Sequence, residues 1–256
     1  MAARVVSEEA PALSVRGLRK NFGGLVATDI PHLDVQRGSI HALIGPNGAG
    51  KSTFIAQVTG TLKSDSGEIR VAGTRIDSLP AHRRVMMGLA RSFQTTTLCP
   101  DLTVFRMMAL ATHRTDGEAG SLWRRASTNT ARIKRTEQLL HLGELTHISG
   151  KRVADLSYGE QRELEICLAL ALEPRLLLLD EPLAGLGPSE AERVLTRISA
   201  LRGTMTVLLV EHDLRAVFRA ADRISVLVSG RIIVEGNEKT IRASDEARRA
   251  YLGTGD

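Results

Sequence analysis

The chain has 256 residues, 43% hydrophobic and 25% charged, with a formal net charge of +5. That is the composition of a folded domain with a substantial core, and it excludes a disordered chain or a small disulfide scaffold. The longest apolar stretches, 166–172 and 176–179, are split by Glu173-Pro174-Arg175 and fall short of the roughly 18 residues of a membrane span.

The first nine residues carry no apolar h-region, so a secretory signal peptide is not expected. Cys99 and Cys167 match no metal spacing, and free thiols fit a reducing cytosol. The basic balance, with a pI near 9.6, leaves open a nucleic-acid or anionic-membrane partner beside the plainer reading of a solvated Arg-rich surface.

Leu13–Val15 and Ile30–Val35 read as short strands flanking a Gly-rich connection, Arg16 to Gly24. Phe22 is the aromatic in that connection. Two readings of it stand open: a π face for stacking a nucleotide base, or a core side chain at a strand end. The apolar run 40–44 then leads into Gly45-Pro46-Asn47-Gly48-Ala49-Gly50-Lys51-Ser52-Thr53 and a helix through about Val58. Small residues let successive backbone N–H groups turn inward around a triphosphate, and the helix start adds its positive dipole end. Lys51 supplies a point charge for the β and γ phosphates, and the Ser52 hydroxyl is placed to ligate Mg²⁺. The pattern predicts a cradle for a triphosphate.

Gly67 to Gly73 reads as a strand between glycines, and Pro80 as the first residue of a helix through about Met87. The step Leu89 to Gln94 is strand-like and ends on an amide that can accept from a metal-bound water and donate to a nucleophilic one. From Leu98 to Leu156 the periods turn helical, over 102–112 and 131–142, with a basic join at Trp123-Arg124-Arg125 taken as surface. Ser157 and Gly159 then open a helix to about Leu172. This start is either a capped helix or a second anion site for a phosphate held by another molecule.

The run Leu176 to Leu179 is a strand buried on both faces, ending in Asp180 and Glu181. Ligands of α/β sheets bind at such carboxyl ends, so Asp180 is assigned to Mg²⁺ through water and Glu181 to the attacking water as general base. Thr206 to Val210 repeats the pattern before Glu211-His212-Asp213, where His212 can donate to a γ-phosphate. Ile224–Val228 and Ile232–Val234 read as antiparallel strands, and 238–252 as helical.

These motifs in this order, with a helical insertion between Gln94 and Ser157, resemble the nucleotide-binding subunits of ATP-binding cassette transporters over nearly the whole chain. The resemblance implies an α/β fold. It has a P-loop NTPase core with a mostly parallel sheet, an N-terminal antiparallel β subdomain and a helical insertion. The expected division is a single domain, 1–256, with a helical subdomain at 98–172. By this resemblance Phe22 stacks adenine, residues 45–53 form the Walker A loop, and Gln94 is the Q-loop glutamine touching metal and water. Residues 156–160 are the signature sequence, Asp180 and Glu181 the Walker B aspartate and catalytic glutamate, and His212 the switch histidine. The signature Ser157 and Gly159 would contact the γ-phosphate bound by a partner cassette.

Phe22-Gly23-Gly24-Leu25, Arg91-Ser92-Phe93-Gln94, Leu156-Ser157-Tyr158-Gly159, Ala184-Gly185-Leu186 and Ala250-Tyr251-Leu252-Gly253 resemble the branched-chain amino acid importer type. This implies an ATPase peripheral to the cytoplasmic face of the inner membrane, with a second ATPase subunit and two permease subunits as partners. A substrate-binding protein would act indirectly, and no nucleic acid is expected. Urea or amide importers, and soluble cassettes acting on nucleic acid, are the alternatives. Gly187 departs from the family pattern, which has Asp or Asn there.

Overall fold

The computed structural model describes residues 10–92, 98–113 and 130–252. Gln94, the Trp123-Arg124-Arg125 join and the first nine residues lie outside them.

β1 (Leu13–Phe22) and β2 (Leu25–Val35) form one long hairpin that turns at Gly23-Gly24. The expected connection from Arg16 to Gly24 is therefore strand, and the reason is local. Gly17 takes a left-handed φ of 56° and the register slips between Arg16 and Arg19, so the inward-outward alternation that marks a strand is broken mid-way. Leu13, Val15 and Leu18 still face inward and are fully buried.

β3 (Ile40–Ile44) is buried along its whole length and runs through the glycine loop into α1 (Lys51–Thr59). β4 (Ser66–Val71) pairs with β1 and β5 (Thr74–Arg75) with β4, giving an antiparallel sheet in the order β2-β1-β4-β5. α2 (Ala81–Met86) starts directly after Pro80, whose fixed φ suits a helix entry. β6 (Leu89–Arg91) follows, then α3 (Val104–His113), α4 (Thr130–Leu142) and α5 (Tyr158–Leu170). β7 (Leu176–Asp180), α6 (Pro188–Ala200), β8 (Val207–Val210) and α7 (Leu214–Ala220) alternate as crossover units. The hairpin β9 (Arg223–Val228) and β10 (Arg231–Gly236) precedes α8 (Glu238–Ala243) and α9 (Asp245–Leu252).

The second sheet has the order β10-β9-β3-β8-β7-β6, parallel from β9 to β6, with β10 antiparallel at the edge. Its central strands β3, β8 and β7 are buried on both faces, which is why they read as unbroken apolar runs. One face packs with α1 on the antiparallel sheet through Phe54, Ile55, Leu43 and Leu178, and the other packs on α5 to α7 through Ile166, Val194 and Ala216. α3, α4 and α5 share a separate apolar cluster that includes Val104, Met108, Leu139 and Leu164.

This topology sets the site. The chain leaves β3 at Gly45, β7 at Asp180, β8 at Val210 and β6 at Arg91, and all four points lie at carboxyl ends of neighbouring parallel strands.

Candidate nucleotide site

The loop between β3 and α1 is held by its backbone. Ala49 N–H donates to Pro46 O at 3.2 Å, and Phe54 N–H donates to Gly50 O at 2.9 Å. Ala49 O accepts from Gly230 N–H at 2.8 Å, which docks the loop on the β9–β10 turn. Two glycines are dictated by this packing. A Cβ on Gly45 would stand 2.2 Å from Leu227 O, and one on Gly50, whose φ is 104°, would stand 2.2 Å from Ala27 O.

Lys51 is buried, and its ammonium donates to Gly45 O at 2.5 Å and Pro46 O at 3.0 Å. The side chain thus folds back over its own loop. Burial lowers its pKa below the ordinary lysine value, opposed by the carboxylates of Glu181 and then Asp180. Ser52, next on α1, is exposed.

A cavity of about 350 Å³ opens over this loop. Asn47 to Thr53 line one wall; Phe22, Leu25, Val26 and Ala27 line another, and Glu181 and Ser229 complete it. Phe22 is 51% exposed, with Lys20 Nζ 5.6 Å from its ring centroid. The core reading of Phe22 is therefore overturned: the hairpin ends there, and its ring stands on the cavity wall. Leu25, across the turn and 66% exposed, adds apolar surface that sequence patterning did not single out.

Asp180 is buried at the end of β7, and its Oδ2 accepts from Arg91 Nη2 at 2.9 Å. Glu181 follows with φ 48°, the left-handed region disfavoured for a side-chain-bearing residue, and its N–H donates to Val210 O at 2.8 Å. Such strain is retained where surrounding structure fixes it, and it aims the Glu181 side chain at the cavity rather than along the strand.

His212 has an exposed side chain after β8 and does not line the cavity. The preceding Glu211 is fully buried, and its carboxylate accepts from Leu183 N–H at 2.9 Å and from His212 N–H at 3.2 Å. Burial raises its pKa, against those two hydrogen bonds. Glu211 thus fixes the turn after Glu181 to the base of His212. Sequence reasoning passed over it; an acid directly at a buried strand's end was the available signal.

Ser157 caps α5. Its Oγ accepts from Glu160 N–H at 3.2 Å, while Glu160 Oε2 accepts from Ser157 N–H at 2.8 Å. Ser157 and Gly159 do not line the cavity. Gly159 is buried against Glu190. Gly187 stands just before α6 and uses only its backbone, its N–H donating to Glu190 Oε2 at 3.3 Å.

No group of three or more His, Cys, Asp or Glu able to hold a metal ion occurs among the described residues. Ser52 and Asp180 are hard oxygen donors. Asp180 carries a cationic partner in Arg91, with which a metal ion would have to compete for the carboxylate.

Three comparisons bear on this geometry. The family model described as ABC transporter matches residues 29–184. The high-affinity branched-chain amino acid transport ATP-binding protein BraF of Pseudomonas aeruginosa is 36% identical over 251 residues, covering 95% of this chain and 98% of its own. LivG of Escherichia coli K12, described in the same words, shows the same identity and coverage. Among solved structures, the ADP conformation of an ATP-binding cassette of an ABC transporter superposes with a TM-score of 0.81 at 27% identity, covering 94% of this chain and 98% of that one.

Proposed function

Because the chain belongs to the ABC transporter family, we propose that it is the ATP-hydrolysing subunit of an importer for branched-chain or related amino acids. The observation that carries the ATPase reading is the cavity in which the glycine loop and Lys51 face Glu181, with Phe22 on its wall. The amino acid class comes from the relatives of full length.

The reaction breaks the bond between the γ-phosphorus and the β–γ bridging oxygen and forms a bond from that phosphorus to a water oxygen. Phosphoryl transfer of this kind is mostly positioning and charge stabilisation. Loop N–H groups and Lys51, once turned from Gly45 O and Pro46 O, hold the β and γ phosphates. Glu181 orients the water and takes its proton. Ser52, Asp180 and Gln94 would hold Mg²⁺, which neutralises phosphate charge when bound. His212 would donate to the γ-phosphate in the closed state. That donation requires His212, exposed and off the cavity, to move toward it.

Ser157 and Gly159, also off the cavity, are proposed to meet ATP held by a second cassette, identical or paralogous. Two permease subunits would complete the assembly at the cytoplasmic face of the membrane, with a substrate-binding protein delivering cargo. A partly apolar cleft of about 330 Å³ between α3, α5 and β6 suits a permease segment, and it is lined by Leu98, Met107, Leu110 and Leu168. The helical unit at 98–172 would carry closure to the membrane. The test is reconstitution with the permease subunits that pair with this chain: amino acid uptake should need ATP and fail with Lys51→Ala. Uptake supported equally by Lys51→Ala contradicts the proposal.

A further inference from the structure

Arg91 closes β6 and donates to the buried Asp180 carboxylate at 2.9 Å, and the same side chain lines the apolar cleft. Asp180 is also the hard-oxygen donor proposed for the divalent cation, so one desolvated carboxylate faces two cations. A charge displaced from such a site is costly unless a second partner receives it.

That second partner stands in the same cleft. Glu165, on α5, lines it with Arg91. Its Oε2 accepts from Arg162 at 2.9 Å, whereas its Oε1 is buried with no hydrogen-bond partner among the described residues. Burial raises the Glu165 pKa, against the hydrogen bond from Arg162. The Nε of Arg91 is likewise buried without an acceptor among the described residues. An orphaned acceptor and an orphaned donor in one cleft are both costly, and a turn of the guanidinium toward Glu165 would pair them.

We propose that Arg91 is a positioning residue with two partners: it pairs with Asp180 while the cation site is empty and with Glu165 when a divalent cation holds Asp180. The inference rests on the nucleotide-site reading above. It makes Glu165 part of cation binding although it lies in the cleft rather than in the nucleotide cavity, and it ties the state of Asp180 to the wall on which a permease segment would rest.

The experiment is Mn²⁺ titration of the full chain followed by electron paramagnetic resonance, at saturating non-hydrolysable ATP analogue, for wild type, Arg91→Gln, Glu165→Gln and the double variant. Analogue binding in EDTA and thermal unfolding are measured on the same samples. Glu165→Gln should weaken Mn²⁺ binding about three- to tenfold, Arg91→Gln should strengthen it by a similar factor, and Glu165→Gln should have no effect once Arg91 is Gln. Arg91→Lys keeps the positive charge, so dependence on Glu165 should persist there. Equal effects of Glu165→Gln with Arg or Gln at position 91, or weaker Mn²⁺ binding by Arg91→Gln, overturn the exchange. Wild type that takes up no Mn²⁺ with the analogue overturns the nucleotide-site reading itself; wild type that binds it without coupling overturns this inference alone.

Discussion

Ser157 donates its hydroxyl hydrogen to Glu190 Oε1 across 3.1 Å, so the start of α5 is fastened to the first turn of α6. The same hydroxyl oxygen accepts from Glu160 N–H. Ser157→Ala removes the cap and the fastening together, and a loss of about 1–2 kcal/mol in urea unfolding is expected. A midpoint unchanged from wild type would mean that the helix start is held by other contacts.

Phe22 is half exposed, so its replacement has little core to disturb. Phe22→Ala should weaken ATP binding by about 1–3 kcal/mol, the scale of base stacking on an aromatic ring, while leaving thermal stability near wild type. Phe22→Trp should restore binding. Fluorescence titration with an ATP analogue decides, and an Ala variant with wild-type affinity would remove the stacking role.

Lys51 donates to Gly45 O and Pro46 O, so its substitution takes that donor from both carbonyls, of which Pro46 O keeps Ala49 N–H, and leaves the phosphates without their point charge. Lys51→Ala should lower ATP affinity by about tenfold or more, the scale of a charge-assisted hydrogen bond. Calorimetry showing equal affinity would contradict this.

The interior of β3 carries a pH dependence. His41 Nε2 lies 2.8 Å from Ser225 Oγ and 4.0 Å from Glu235 Oε2, and the ring is fully buried. Burial lowers its pKa from 6.5 to about 4, with Glu235 opposing and Arg223 assisting. Between these values the unfolded chain binds a proton that the folded chain does not. The contribution to stability is therefore present above pH 6.5 and is lost as pH falls toward 4. The loss is on the order of 3 kcal/mol. Urea unfolding from about pH 7 to about pH 4 should show it, and His41→Val should flatten that part of the profile; an unchanged slope in the variant would assign it to other groups.

The parts of this molecule legible in the sequence are those where residue type alone fixes the chemistry. The glycine loop, the Leu176 to Asp180 strand and its two carboxylates need no knowledge of neighbours. β1 was harder, because Gly17 interrupts the alternation that reveals a strand. Phe22 could be core or surface until the hairpin turn placed it. Arg91 on Asp180 and Glu211 on Leu183 were invisible, because each pair spans a long sequence separation, 89 and 28 residues, and meets only through the strand order β8-β7-β6. Such contacts are products of topology, and no local pattern records them.

The most direct measurement is phosphate release by the assembled transporter carrying Glu181→Gln, with ATP occupancy of the same sample read by filter binding. The expected result is ATP bound at wild-type occupancy with turnover reduced by about 10²–10⁴-fold, the contribution of a positioned general base. Turnover within a few-fold of wild type would contradict the assignment of Glu181 and the mechanism built on it.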